Sequence, residues 1–325
     1  MSYGIQDIDV FSLPETYNTK RLPNGIEIAY QSRAEVDFFY EDVFEHQVYL
    51  RNGITLRDGD CIFDVGANIG FFTLFAHQKC TPGMVYAFEP ARPLFEILDF
   101  NTARYRDTVR VLNFGLSNTR KTASFTFYPH SSGMSSFYAD KEEEKEVLRV
   151  LMKNQQRSGM AGMDDVLKHA EDLLEERFRS ETLDCELRTL SDVICEWRVG
   201  RIDLLKIDVQ KSELDVLEGI GGDDWMKIQQ IVIEVHDTDG RLALVQDLLN
   251  RNGYTTIVEQ DDPYGNSIMY NVYATRRPSL VTFESEAALT SNAKPYAHEL
   301  QTRARRQAEA AGRQKTLASR RKQGL

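Results

Sequence analysis

Cys61-Ile-Phe-Asp-Val-Gly-Ala-Asn-Ile-Gly70 decides how the rest of the chain is read. Its first half is short, β-prone and mostly apolar, as a parallel strand buried on both faces must be. Gly66 and Gly70 then let backbone approach a ligand and let a helix, expected over 71–79, start tightly against the sheet. The free N–H groups at the start of that helix point at whatever sits there. The next apolar run, Met84-Val-Tyr-Ala-Phe88, ends in Glu89-Pro90, and a carboxylate at that strand tip suits the two hydroxyls of a ribose. The stretch reads as a nucleoside-cofactor site.

The kind of nucleoside follows from what stands between the glycines. A dinucleotide fingerprint places a second glycine where pyrophosphate passes, and here Ala67 and Asn68 fill that space. Asp64, two positions before Gly66, repels a pyrophosphate and favours a cation. S-adenosylmethionine carries a sulfonium and an ammonium and no phosphate, so it is the expected ligand. A nicotinamide or flavin dinucleotide and a ligand-free turn are the alternatives. Cofactor contacts are expected from Asp64, Gly66, Asn68, Gly70, Glu89 and Asp208, together with Asn113, Gly115 and Leu116 at and beyond the end of the third strand.

The strand and helix signals that follow alternate: strand 61–65, helix 71–79, strand 84–88, helix 93–104, strand 109–113. Such alternation builds a parallel sheet with crossover helices on both faces, a doubly wound α/β fold. Residues 1–60 are expected to form a cap, irregular to residue 20, with a short strand at 26–30 and an aromatic amphipathic helix or pair of helices over 34–50. That helix packs on the core or covers the cofactor. Lys121–Tyr128 alternates like an edge strand, and 139–181 reads as a helical insertion over one end of the sheet, with a second helix at 164–178. The sheet resumes at 203–208, then helix 212–219, strand 230–236, helix 241–251 and a hairpin of strands at 254–258 and 269–274. The main domain is thus expected over 61–276, with a partly helical tail at 277–325.

Composition narrows the function. The chain has 325 residues, 42% hydrophobic and 27% charged, values of a globular protein, and its net charge of −11 disfavours a nucleic-acid platform. The tail runs the other way, with nine Lys and Arg against Glu299 and Glu309 from Lys294 onward. Cys61, Cys80, Cys185 and Cys195 have no metal or redox spacing and read as reduced thiols. With no signal-peptide pattern and no long apolar run, the expectation is a soluble cytoplasmic protein without a membrane partner.

The strand tips supply the candidate chemistry. Side chains two apart share a strand face, so Lys206 pairs with Asp208 and Glu234 with His236 beside the cofactor if the two strands are neighbours. Methyl transfer to a hydroxyl is an in-line displacement that needs alignment and a base. His236 suits that base, with Glu234 orienting it; a hydrogen-bonded strand-end histidine is the plainer alternative. Asp208, Glu234 and His236 around a divalent ion form another, although the spacing carries no metal signature. Lys206 needs a carboxylate partner, with tuning of substrate or base as the alternative that puts it, with Asp208, among the catalytic candidates. Glu213 suits a helix N-terminus or a role at the site.

Four segments in order resemble the FkbM-type family of S-adenosylmethionine-dependent methyltransferases: Phe63-Asp-Val-Gly-Ala-Asn-Ile-Gly70, Ala87-Phe-Glu-Pro90, Asp203-Leu-Leu-Lys-Ile-Asp-Val209 with Glu213 and Val216-Leu217, and Ile233-Glu-Val-His236. Asp208-Val-Gln-Lys-Ser-Glu213 departs from the commoner form, which has Glu-Gly after the valine. With Asp224-Trp225 and Glu234-Val-His-Asp237 it is similar to the branch associated with polyketide and nonribosomal-peptide assembly lines. The resemblance implies a class I methyltransferase (Rossmann-like) fold, catalytic roles for Glu234 and His236, and O-methylation of a polyketide-like hydroxyl. The acceptor is then free, or carried on an acyl carrier protein; a sugar is a further alternative.

Overall fold

The computed structural model describes residues 17–276; the basic tail, and the expectations placed on it, lie outside the described residues. The chain opens with β1 (Asn18–Arg21), β2 (Glu27–Tyr30) and α1 (Arg33–Tyr40), which widens to a π-helical turn over Glu41–Glu45. Next come β3 (Cys61–Val65), α2 (Phe71–Lys79), β4 (Met84–Phe88), α3 (Arg92–Thr102), β5 (Val109–Leu112), β6 (Gly115–Leu116) and β7 (Lys121–Phe127). The insertion holds α4 (Lys141–Arg157), α5 (Met163–Lys168) and α6 (Ala170–Arg177), and is followed by β8 (Glu181–Arg188) and α7 (Leu190–Glu196). The chain then returns through β9 (Ile202–Ile207), α8 (Glu213–Glu218), β10 (Ile228–His236), α9 (Arg241–Arg251), β11 (Tyr254–Glu259) and β12 (Met269–Arg276).

Seven strands form the main sheet in the order β11-β12-β10-β9-β3-β4-β5. Pairings from β10 to β5 are parallel, and β12 runs antiparallel to both neighbours. This is the class I methyltransferase sheet, α/β and doubly wound. The central strands β3, β4, β9 and β10 are mostly apolar because both faces are covered. Ile62, Leu204 and Val232 face the layer of α1, α2 and α3, whereas Phe63, Leu205, Ile231 and Ile233 face α7, α8 and α9. The winding reverses between β3 and β9, which opens a crevice at their carboxyl ends.

Several local expectations are corrected. Residues 18–21 are a strand paired with β2, not irregular chain. Lys121–Phe127 is an edge strand as expected, in a separate three-stranded sheet where it pairs with β8, Ala123 opposite Cys185, and β6 takes the other edge. The helix expected over 164–178 breaks at His169 into α5 and α6. The cap helix ends before Gln47, whose φ of 50° is left-handed. β8 and α7 stand where no element was expected. β8 buries Cys185 and Leu187 between charged residues, and α7 is started by a capping box between Thr189 and Asp192. Among the described residues, no helix is long and apolar enough to cross a membrane.

Candidate functional site

A cavity of about 390 Å³ opens at the reversal point. Its floor is made by Gly66, Asn68, Glu89, Lys206, Asp208 and Glu234, and its roof by side chains of α1 and the insertion, among them Phe39, Leu148, Met163 and Arg177. Gly66 has φ +77°, and a Cβ added there would lie 1.8 Å from the Asp208 carbonyl oxygen. Only glycine lets the β3 loop pass this close to the end of β9. The helix that follows begins at Gly70, φ +96°, where a Cβ would meet Leu98 at 2.9 Å.

Behind the floor lies a buried ion cluster. The Lys206 ammonium is 3.1 Å from Asp64 and 3.7 Å from Asp208, and donates to the Gly66 carbonyl at 2.8 Å. Burial pulls its pKa down, and the two carboxylates more than offset that, leaving it above the ordinary lysine value. The Thr73 hydroxyl donates to Asp64 at 2.7 Å, and the Tyr49 hydroxyl donates to Asp208 at 2.8 Å. At the tip of β4, Glu89 accepts the N–H groups of Asn68 and Ala91, each at 2.9 Å on a different oxygen. One lone pair per oxygen stays available for a diol. Burial pushes the Glu89 carboxyl up to about 7 despite those two donors.

Glu234 opens onto the same cavity from β10. Burial, with the carboxylates of Asp208 and Asp42 beside it, raises its pKa well above the ordinary value. Its polar neighbour is Gln210, whose amide lies 3.4 Å away. Gln210 and Lys211 both have left-handed backbone, φ 43° and 70°. That loop is pinned by Glu213, which accepts the Lys211 N–H at 2.8 Å and meets His236 Nδ1 at 2.9 Å.

Of the expected site residues, Gly66, Asn68, Glu89, Gly115, Leu116, Lys206, Asp208 and Glu234 line the cavity. Four assignments are corrected. Asp64 is fully buried and meets Lys206 and Thr73, so its charge is spent inside the sheet instead of on a ligand. Gly70 acts through helix packing, and Asn113 donates its amide to the carbonyls of Glu89 and Pro90, bracing the loop after β4. His236 does not pair with Glu234. Its ring is 1% exposed and belongs to the Glu213 network, because the chain after β9 folds back over the end of β10. Asp208, Glu234 and His236 accordingly form no metal-holding group among the described residues. Glu35, Asp42, Tyr49 and Arg177 reach the cavity from the cap and the insertion without any local motif that announces them.

The family model described as Methyltransferase FkbM domain matches residues 64–256. The chain is 40% identical over 264 residues to the 31-O-demethyl-FK506 methyltransferase FkbM of Streptomyces tacrolimicus, covering 81% of this chain and 99% of that protein. It is 39% identical over 262 residues to the AMB antimetabolite synthetase AmbE of Pseudomonas aeruginosa, covering 78% of this chain but 12% of that larger protein. A third relative, Methyltransferase sdnD of Sordaria araneosa, is 31% identical over 251 residues, covering 73% of this chain and 90% of that one.

Proposed function

This chain belongs to the FkbM-type family of S-adenosylmethionine-dependent methyltransferases, and on that premise we propose that it O-methylates a hydroxyl of a polyketide-like intermediate in the cytoplasm, with Glu234 as the base. The donor supplies a methyl group made electrophilic by its sulfonium. The residues present suit such a ligand: Glu89 for the ribose hydroxyls, the Gly66–Asn68 loop and Gly115–Leu116 along the nucleoside, and a wall rich in carboxylates for its two cationic centres. Free thiols at Cys61, Cys80, Cys185 and Cys195 accord with a reducing compartment.

The single observation that carries the acid–base assignment is the place of Glu234, a carboxyl group in the cavity wall shared with Glu89, with Gln210 as its hydrogen-bond partner. Burial raises its affinity for a proton, and a cationic donor bound beside it favours the ionised form that takes the proton from the acceptor hydroxyl. Asp208 is held by Tyr49 and Lys206, which leaves Glu234 the freer of the two. His236 and Glu213 fix the loop that carries Gln210. The acceptor side is apolar, with Phe38, Leu148, Leu151, Met152 and Met269, which suits a reduced carbon chain better than a sugar. The Streptomyces relative is a 31-O-demethyl-FK506 methyltransferase, which supports an oxygen acceptor, and the Pseudomonas relative is an antimetabolite synthetase, which leaves open an acceptor carried on a larger assembly.

Glu234→Gln keeps the size and removes the base. It is expected to lower kcat by about 100-fold or more while S-adenosylhomocysteine binds as in the parent. Turnover within a few-fold of the parent would return the proton to another group.

A further inference from the structure

The cavity wall is electrostatically lopsided: Glu35, Asp42, Glu89, Asp208 and Glu234 line it, and the lysine and arginine side chains among the described lining residues are Lys206 and Arg177 alone. Lys206 is fully engaged by Asp64, Asp208 and the Gly66 carbonyl. Arg177, at the end of α6, is half-buried and makes one hydrogen bond among the described residues, from Nε to Ser131 Oγ at 3.1 Å. Its two terminal nitrogens meet no carboxylate there. Glu35 feels its charge without forming an ion pair with it. A planar fork of N–H donors aimed into a cavity with nothing to receive it is built for a carboxylate that arrives with a ligand.

Its place along the cavity selects the ligand. Arg177 rests on Ser131, and the adjoining Ser132 receives the Asn68 amide at 3.1 Å. Asn68 belongs to the β3 loop and gives its backbone N–H to Glu89. The arginine therefore stands over the nucleoside-binding loop, whereas the wall expected to face the acceptor is apolar. A methyl donor with an amino-acid end brings two cations and one carboxylate; the acids of the wall answer the cations.

We propose that Arg177 receives the carboxylate at the amino-acid end of the methyl donor, so that the insertion contributes directly to cofactor binding. The assignment rests on the methyl-donor reading given above, and the test separates the two. Calorimetric titration of the full chain uses S-adenosylhomocysteine and methylthioadenosine, a nucleoside thioether with no amino-acid end. Arg177→Ala should weaken S-adenosylhomocysteine at least about tenfold, Arg177→Lys less, and neither should change methylthioadenosine affinity. Equal weakening of both ligands, or of neither, overturns the proposal; the first means a distorted roof and the second an arginine that reads something other than the donor. A parent chain that binds neither ligand defeats the methyl-donor reading itself.

Discussion

Lys206 and Lys211 are both nearly buried, 4% and 5% exposed, yet they hold different parts of the molecule together. Lys206 joins β9 to β3, strands already fixed by parallel pairing with Asp64 opposite Lys206 in the register. Lys211 reaches Glu143 at 2.5 Å and Glu144 at 3.1 Å on α4, tying the loop after β9 to the insertion. The first pair is part of a floor already held by strand pairing and burial on both faces. The second is a latch on a roof that also meets the body through a small apolar cluster around Tyr128, Met134, Leu148 and Phe178 and through Asn154, whose amide donates to the carbonyls of Pro263 and Gly265 at 3.0 Å. Most groups suited to the donor sit on the rigid side, whereas the roof, which adds Arg177, sits where structure is easier to change.

The sharpest break between floor and roof is expected at Lys206. Lys206→Met strands the fully buried Asp64 with Thr73 as its remaining partner, and losing one member of such a pair costs about 3–5 kcal/mol. Chemical denaturation should show it as a fall in global stability. Adding Asp64→Asn should recover most of the loss, since the uncompensated charge disappears.

Glu89 offers a test whose two readouts run in opposite directions with pH. Its carboxyl is pushed from 4.5 to about 7 in the fold, so between those values the native chain binds more protons than the unfolded one. Stability is therefore full at low pH and declines as pH rises through about 7, by up to about 3 kcal/mol for this group. Ribose hydroxyls donate to the ionised form, so affinity for S-adenosylhomocysteine should instead strengthen over the same range. Glu89→Gln should flatten both trends. A stability that climbs with pH in the parent and not in the variant would reverse the sign assigned here.

Floor and roof also differ in how far they can be read from residues alone. Cys61–Val65, Met84–Phe88 and Ile202–Ile207 are apolar because parallel strands are covered twice, and that pattern, with the glycines and Glu89, is legible in one dimension. β8 is not: Glu181, Asp184, Glu186 and Arg188 interrupt it, since only one face is covered. The period-two rule assigns Glu234 and His236 to one face but does not say what covers each. Glu213, which takes the imidazole, comes from another element, and the left-handed Gln210 and Lys211 that bring it there carry no glycine to mark the turn. Likewise Tyr49, Asp42 and Arg177 enter the cavity through tertiary folding of the cap and insertion.

The smallest effect is expected at the latch, and its smallness is informative. Lys211→Met leaves Glu144 with two other donors, the Tyr128 hydroxyl and the Asp140 N–H, each at 3.0 Å. Burial already holds the Glu144 carboxyl above its usual pKa, so the group can take up a proton once the ammonium is gone. Asp64 beneath the sheet, by contrast, is left with a single donor, the Thr73 hydroxyl. The latch should therefore cost about 1–2 kcal/mol, confined to local opening of the insertion. Hydrogen exchange should rise in α4 and α6 while β3, β4 and β9 keep the parent's protection. If the sheet loosens as much as it does in Lys206→Met, the roof is not a separately held element, and the division between a fixed floor and a latched roof is wrong.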